Sequence, residues 1–332
     1  MKRILVAKLR ELGDVLLSGP VFYALKRAYP EAEIDGYIYR EGAPLLEGHP
    51  AVHELIFAER KKKLWNELSL LRDIRRRRYD MVINLTSGDR GAIMALVSGA
   101  KVRVGWDSQG EGFLGKDKIY THLIRNCPHP KHRVEKDLDA VRVLGIDPPE
   151  EDRELFFKVP DEIVIEGEYV VVHPLSRCAY KCLRPDVWKE VIQTLISKGH
   201  RVVVTGASHE KEAIQKILAG NEINLVGKLS LSTLGGVIAR ARVLLCVDSM
   251  PMHLAAAVKT PLVAVFGPSS EVNWGPWRHP RAEIVTLNYP CRPCYQAGCG
   301  GSGLSDCLLR TSASSILRSV SHFISVPINS CQ

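Results

Sequence analysis

The sequence predicts an α/β protein built as two doubly wound, Rossmann-like domains whose parallel sheets face one cleft. Three observations carry that expectation. Short apolar runs without polar alternation recur along the chain, among them "RILVAK", "YDMVINL", "YVVVHP", "RVVVTGA", "VLLCVDS" and "PLVAVFG". Segments of helical periodicity separate them, which is the pattern of parallel strands covered on both faces. A proline- and acid-rich stretch, "IDPPEEDRE", splits the series in two. The expected divisions are a first domain over 1–150, a linker over 151–167, a second domain over 168–312, and a C-terminal helix and tail over 313–332.

In order, the strand at 4–7 leads into a helix with Leu17, Val21, Leu25 and Ala28 on one face. Pro20 fits the first position of that helix, after Ser18 or Gly19, which puts Asp14 on a short turn. Strands "EIDGYIY" and "HELIFA" follow, then a helix over 64–75, strand "YDMVINL", a short helix in "GAIMALVSG" and strand "KVRVGW". The glycine- and charge-rich stretch 107–130 reads as a long loop, a kind usually functional or mobile. A helix over 133–144 then ends at Gly145. The second series alternates strand "EYVVVH", helix 185–198, strand "HRVVVTGA", helix 210–218, strand "INLVGK", helix 232–241, strand "VLLCVDS", helix 252–258 and strand "PLVAVFG". A last helix is expected over 314–324.

The 332 residues are 45% apolar and 25% charged, the composition of a soluble globular chain. No apolar run approaches the ~20 residues that span a bilayer. The start, "MKRILVAKLRELGD", has too short an apolar run for a signal peptide and reads as a first strand with a cytoplasmic address. A net charge of +8 favours acidic partners: nucleic acid, anionic lipid, or a phosphorylated or carboxylated substrate. The basic runs "RKKK" (60–63) and "RRRR" (75–78) carry much of it, the second reading as a solvated helix face. No nucleic-acid motif accompanies them, so nucleic acid is not expected as a partner. Of nine cysteines, Cys127, Cys178, Cys182, Cys246 and Cys331 are scattered, whereas Cys291, Cys294, Cys299 and Cys307 form C-x2-C-x4-C-x7-C. A tetrahedral zinc or an iron–sulfur centre suits such a cluster, as do plain buried or partly oxidised thiols. No metal is assigned.

Ligands of doubly wound sheets bind beyond the carboxyl ends of the strands, so polar residues there are the ones to weigh. Neither a G-x-G-x-x-G nor a G-x-x-x-x-G-K-[ST] motif is present, which speaks against dehydrogenases and P-loop enzymes. "VVVHPLSRCAYK" offers His173, Ser176, Arg177 and Lys181, suited to a diphosphate or to a helix cap with solvated charges. In "VTGASHEKE", Gly206 permits a sharp turn, and Glu210 suits a ribose hydroxyl or the positive end of a helix. In "VDSMPMHLAAAV", Asp248 and Ser249 suit an N-cap, while His253 beside so apolar a helix suggests a polar site. The opening corner carries Lys8, Arg10, Gly13 and Asp14; pattern by itself reads Asp14 as an N-cap, while a carboxylate across a cleft from a nucleotide can also act as a base.

Taken together, these corners resemble the ADP-heptose lipopolysaccharide heptosyltransferases, a GT-B family of inverting glycosyltransferases. The resemblance runs through "LRELGDVLLSGPVFYALKRAYPEAEID", "YDMVINLT", "GKLSLSTLGGVIARARVLLCVDSMPMHLAAAVKTPLVAVFGPSS" and "NWGPW", in order along nearly the whole chain. "VDSMPMH" and "KTPLVAVFGPSS" look closest to the heptosyltransferase III branch, which adds the third, branching heptose of the inner core. The alternatives are heptosyltransferase II or a related sugar transferase, and, from another class, a non-catalytic nucleotide-sugar or lipopolysaccharide-binding protein.

The resemblance implies roles residue by residue. Asp14 falls on the catalytic aspartate and Lys181 on the lysine that stabilises the donor diphosphate. His173, Ser176, Gly206, Glu210, Leu229, Asp248, Ser249, Met250, His253 and Gly267 fall along the donor site, with Glu210 toward the ribose and Leu229 near the adenine. Lys8, Gly13, Arg60, Lys61, Lys62 and Lys63 fall on the acceptor side, the basic run toward the acidic Kdo or phosphate groups of a Kdo/heptose-lipid A core. The chain departs from the family at Met250–Pro251, where many members have glycine, and at "KCL", where many have a second cation after the lysine. With no D-x-D motif, the resemblance implies a reaction that needs no cofactor, on a lipopolysaccharide acceptor reached by peripheral contact with the inner membrane.

Overall fold

The structure, a computed structural model, describes residues 1–60, 64–126 and 128–324. It divides into two compact units, Met1–Lys158 and Val159–Gln332. Lys61, Lys62, Lys63, Cys127 and Cys331 lie outside the described residues.

The first unit runs β1 (Arg3–Lys8), α1 (Leu12–Leu17), α2 (Gly19–Ala28), β2 (Glu33–Tyr39), β3 (Glu54–Ala58), α3 (Leu64–Arg76), β4 (Met81–Asn84), α4 (Asp89–Ser98), β5 (Val102–Trp106), β6 (His122–Ile124) and α5 (Arg133–Arg142). Its strands, all parallel, stand in the order β3-β2-β1-β4-β5-β6. The chain builds outward from β1 in one direction, returns to β4, and builds outward in the other. Right-handed crossovers in opposite directions put their helices on opposite faces of a sheet. Residues of α3 and α4 (Ile74, Ala92, Ala95) accordingly share one core with Leu5, Ala7 and Val82 of the sheet. On the other side α2 packs with α5. Ile4, Leu5, Val6 and Ala7 of the central strand have no exposed surface.

The second unit repeats the plan: β7 (Val170–His173), α6 (Pro185–Ser197), β8 (Val202–Val204), α7 (Lys211–Gln215), β9 (Ile223–Asn224), α8 (Leu231–Ala239), β10 (Val243–Val247), α9 (Met250–Val258), β11 (Leu262–Val265), α10 (Glu271–Trp274), β12 (Ala282–Val285), α11 (Asp306–Leu309) and α12 (Ala313–Ile324). Its parallel sheet reads β12-β11-β10-β7-β8-β9, the same winding order seen from the other edge. Val187, Trp188, Val191 and Leu195 of α6 and Ile316 and Val320 of α12 close one core over the valines of β7, β8, β10 and β11. The last helix is therefore part of this unit's core rather than an appendage.

Several sequence expectations need correction. Asp14 does not sit on a turn: Glu11 precedes α1 and Asp14 is its third residue, drawn in because Val15, Leu16 and Leu17 are buried. Gly13 is likewise helical, so it provides no left-handed turn. Ala28 is exposed at the end of α2. The stretch expected as linker begins inside the first unit, where buried Asp152 accepts from the Arg27 guanidinium at 2.5 and 3.0 Å. Helix 210–218 is a short 3-10 turn (Ser208–Glu210) followed by α7, and "INLVGK" pairs over two residues only. Arg77, in the run expected to be solvated, instead forms ion pairs with Glu54 and Asp35 at 2.5 and 3.5 Å.

One buried histidine makes this packing sensitive to acid. His49 lies among the rings of Phe22, Tyr23 and Phe156 and accepts the Ala51 N–H at 3.2 Å. Burial lowers its pKa from 6.5 to about 4. The folded protein keeps it neutral while the unfolded chain protonates near 6.5, so its contribution to stability falls away between pH 6.5 and 4. His49→Asn keeps an acceptor for Ala51 without the titration. Urea denaturation at the two ends of that range should find the variant losing roughly 3 kcal/mol less than the parent protein on acidification.

Candidate active site

In each unit the reversal of winding leaves a gap above the carboxyl ends of two adjacent strands, β1 and β4 in the first and β7 and β10 in the second. Ligands of such sheets bind at that switch point. Lys8 and Asp14 stand there in the first unit and Lys181 and Asp248 in the second, whereas Arg60 follows β3, Glu210 follows β8 and Gly267 follows β11.

In the first unit, Lys8 ends β1 with no exposed surface. Its ammonium donates to Asp137 of α5 at 2.5 Å and lies 3.8 Å from Asp14. Arg133, one turn before Asp137, donates to it at 2.6 Å and stands 3.7 Å from the same Asp14 oxygen. The guanidinium also lies over the Trp106 ring. Two cations and two carboxylates are thus buried together, which offsets the desolvation that an isolated charge would suffer. Burial, aided by the Arg133 charge, still lowers the Lys8 pKa from 10.5 to about 8, against the pull of Asp137 and Asp14.

Asp14 is only 6% exposed, and its Oδ1, flanked by Lys8 and Arg133, accepts no hydrogen bond within the protein. Its Oδ2 lies 3.9 Å from the exposed Arg10. Oδ1 is enclosed between the two cations, so an incoming hydroxyl would meet the carboxylate on its Oδ2 side, beside Arg10. Arg60 lies at the same edge, 3.5 Å from Glu11 at the start of α1, 3.4 Å from Glu41, and over the Tyr39 ring. Lys8 cannot touch an acceptor from its buried position, which corrects the expectation that it binds one. Its charge acts through Asp14 and Asp137.

In the second unit, the turn after β7 carries Ser176, exposed Arg177 and Lys181. The Lys181 ammonium reaches Asp248, at the end of β10, at 2.7 Å. Ser269 donates to the same carboxylate oxygen, and Asp248 is almost fully buried while Lys181 keeps an open flank. Asp248 is thus an ion-pair partner rather than a helix cap; Ser249 is the residue flanking α9, with Met250 and Pro251 as its first two residues. The Ser249 hydroxyl donates back to Val247 at 3.2 Å. Pro251 has no N–H and that of Met252 is taken by Ser249, so α9 offers an anion mainly its dipole. His253 is buried in the same helix.

Beside them, His173 faces Thr205 at 3.0 Å, and burial lowers its pKa from 6.5 to about 4, so it is neutral near pH 7. The amide of Ser176 donates to the Cys182 thiol at 3.3 Å, and Ser305 donates to the Tyr180 carbonyl at 2.7 Å, fixing the turn that aims Lys181. Glu210 accepts the Ala207 N–H at 2.6 Å, closing its own turn. Gly206 is not left-handed as a sharp turn would require. Its missing side chain instead makes room for Ile214, which a Cβ would meet at 2.3 Å. Gly267 similarly accommodates Leu308, at 2.5 Å from where a Cβ would stand. Leu229 is half-buried just before α8.

Among the described residues no three sulfurs of the cysteine tetrad lie within 4.8 Å of one another, although burial and the nearby Cys299 and Cys294 raise the pKa of the Cys307 thiol. Cys291 and Cys299 are exposed, Cys294 half-buried and Cys307 buried, all as free thiols. Among the described residues, three or more potential metal ligands come together at Asp35, His53 and Glu54 only. Arg3 and Arg77, 3.8 and 3.5 Å from Asp35, make that group an ion-pair network. Sequence reasoning missed Asp137, Arg133, Ser269, Thr205 and Ser305. The signal for the first two was an acid at i+4 from an arginine among the apolar positions of "RVEKDLDAVR".

Comparison with known proteins places these features in a family. Residues 67–303 match the sequence model of glycosyltransferase family 9 (heptosyltransferase). Lipopolysaccharide heptosyltransferase 3 of Escherichia coli K12 is 32% identical over 307 residues, 86% of this chain and 88% of the relative. A glycosyltransferase family 9 structure from Veillonella parvula superposes with a TM-score of 0.85 at 21% identity, covering 97% of both chains. The E. coli ADP-heptose lipopolysaccharide heptosyltransferase II structure gives 0.80 at 22% identity, covering 97% of this chain and 98% of the other. The fold is that of these GT-B enzymes.

The charge cluster makes one substitution diagnostic. Asp137→Asn leaves two buried cations facing Asp14 alone, and should destabilise the protein by about 3–5 kcal/mol in urea denaturation near pH 7.

Proposed function

The chain belongs to glycosyltransferase family 9, and on that premise we propose that it moves heptose from ADP-heptose to the inner core of lipopolysaccharide, adding the third, branching heptose. The choice of heptose rests on its likeness to lipopolysaccharide heptosyltransferase 3, 32% identical across most of both chains. The single observation that carries the chemistry is Asp14, a carboxylate at the switch point of the first sheet, fixed by Lys8 and Arg133 on its Oδ1 side and facing the exposed Arg10 with Oδ2. A binding protein has no use for such a group; a base does.

In this reading the first unit binds the acceptor and the second holds the donor. Asp14 takes the proton of an acceptor heptose hydroxyl as that oxygen forms a bond to the anomeric carbon of ADP-heptose. The bond from that carbon to the diphosphate oxygen breaks, and ADP leaves with the electron pair. One displacement inverts the anomeric centre. Lys181 stabilises the charge growing on the diphosphate, an interaction stronger in the transition state than before it. For Lys181 this means exchanging Asp248 for the diphosphate, or bridging the two. Met250, Ser249, Asp248 and His253 at the start of α9 line the sugar and diphosphate, with Ser176, His173 and Gly267 beside them. Glu210 and Gly206 serve the ribose, and Leu229 the adenine. Arg10 and Arg60 meet the acidic Kdo groups of an acceptor carried on lipid A.

The acceptor confines the work to the cytoplasmic face of the inner membrane, approached peripherally. No helix among the described residues is long and apolar enough to cross a membrane. The reaction calls for no cofactor beyond the donor.

Release of ADP should be fastest with a core acceptor that already carries two heptoses and lacks the third. An equal or faster rate on a core with a single heptose would overturn the branch assignment. Asp14→Ala should lower the turnover by about 10²–10⁴ while leaving ADP affinity, measured by calorimetry, within a few-fold of the parent. Near-normal transfer by that variant would remove Asp14 from the mechanism.

A further inference from the structure

The first unit carries an exposed face that neither its core nor the chemistry above uses. Helix α3 turns Leu70, Leu71 and Ile74 toward the core. Its opposite side presents Trp65, Leu68, Arg72 and Arg76, positions three or four apart and so aligned in one stripe. Trp65 is 80% exposed, an unusual state for so large an apolar ring.

Helix α4 lies alongside and runs the same way. Glu67 pairs with Arg90 near the N-terminal ends of the two helices, and the Arg75 guanidinium lies against Gly99 near their C-terminal ends. From α4, Ile93 and Leu96 are exposed on the same layer. The loop after β5 adds Phe113 and a fully exposed Leu114, held over the start of α4 by Lys116, which pairs with Asp89 at 3.2 Å. Trp65, Leu68, Phe113 and Leu114 thus gather toward the carboxyl edge of the sheet, the edge that bears Asp14, and Ile93 and Leu96 continue the apolar face along α4 toward the arginines. Arg72, Arg75, Arg76 and Arg78 extend the face away from it, with Asp73 the lone acid among them, and none of the four forms an ion pair among the described residues.

We propose that this face docks the protein on an anionic lipid bilayer. Tryptophan, leucine and phenylalanine enter the headgroup region, and the unpaired arginines contact lipid phosphates. Exposed Trp, Leu and Phe beside arginines that lack acidic partners form the amphipathic chemistry of an interfacial helix. The charge complement is what selects a lipid surface: a neutral apolar partner leaves four arginines unanswered. The proposal rests on the reading of a lipid-borne acceptor for its purpose, since docking by this edge brings the Asp14 side of the unit to the membrane, but the lipid contact is measurable without any acceptor.

Co-sedimentation of the full chain with phosphatidylcholine vesicles, with and without ~30% phosphatidylglycerol, tests it. Binding is expected to the anionic vesicles and to weaken with added salt. Trp65→Glu/Leu114→Glu should lower apparent affinity roughly tenfold or more, and Arg72→Glu/Arg76→Glu roughly fivefold or more. Both variants should keep the parent's melting temperature and its rate on a deacylated, water-soluble acceptor. Vesicle binding by Trp65→Glu/Leu114→Glu equal to that of the parent, or no binding by the parent, overturns the proposal. Loss of vesicle binding in both variants, with no transfer to any acceptor by the parent, supports the docking face and overturns the acceptor assignment instead.

Discussion

Each unit hangs on a central strand that is buried on both faces and has neighbours reached by crossovers in opposite directions. Because helices cover both faces of each sheet, the interiors of β1 (residues 4–7) and β7 (residues 170–172) meet core above and below and are aliphatic throughout. The polar residues needed for chemistry are therefore displaced to the first position where the strand ends. At that point helices diverge to the two faces, and the gap between them is closed by side chains and loops rather than by a helix. Lys8, His173 and Asp248 all stand at or just beyond such an end.

A polar group in that position is nearly enclosed by protein, so each unit has to neutralise what it places there. The first unit does so with a closed set of four charges, Lys8, Arg133, Asp14 and Asp137. Lys8 and Arg133 are near both carboxylates, with Arg10 a third cation beside Asp14, and Asp137 takes the short contacts, which is what leaves Asp14 near cations without a hydrogen bond. The second unit uses a looser arrangement, one ion pair and hydroxyl groups, with Lys181 partly open to solvent. In the proposed mechanism the tighter set would hold the base, and the looser one would let a cation exchange partners as an anion arrives and leaves.

Legibility of the site followed how local its contacts are. Lys181, Glu210, Asp248 and Ser249 sit beside strand ends that are plain in the apolar runs, so their places could be read directly, though the Lys181–Asp248 ion pair, 67 residues apart, could not. Asp14 was also near such an end, but its helix was not foreseen, because one and a half turns with a glycine inside carry little periodicity. Its setting was wholly hidden, since the partner of Lys8 lies 129 residues away on a helix rich in charge. In α5 the same letters that suggest a solvated face, Arg133 and Asp137, are the ones turned inward.

By itself the sequence determined the class of fold and the place of every strand except β6, read as part of a loop, and β12, since these depend on apolar period and chain order. It also determined the family, through motifs spread along nearly the whole length. Only the tertiary structure decided the strand order, the inclusion of α12 in the second core, and the company that Asp14 keeps. Pairing of buried charges depends on distance in space, and distance in space has no local signature in a chain.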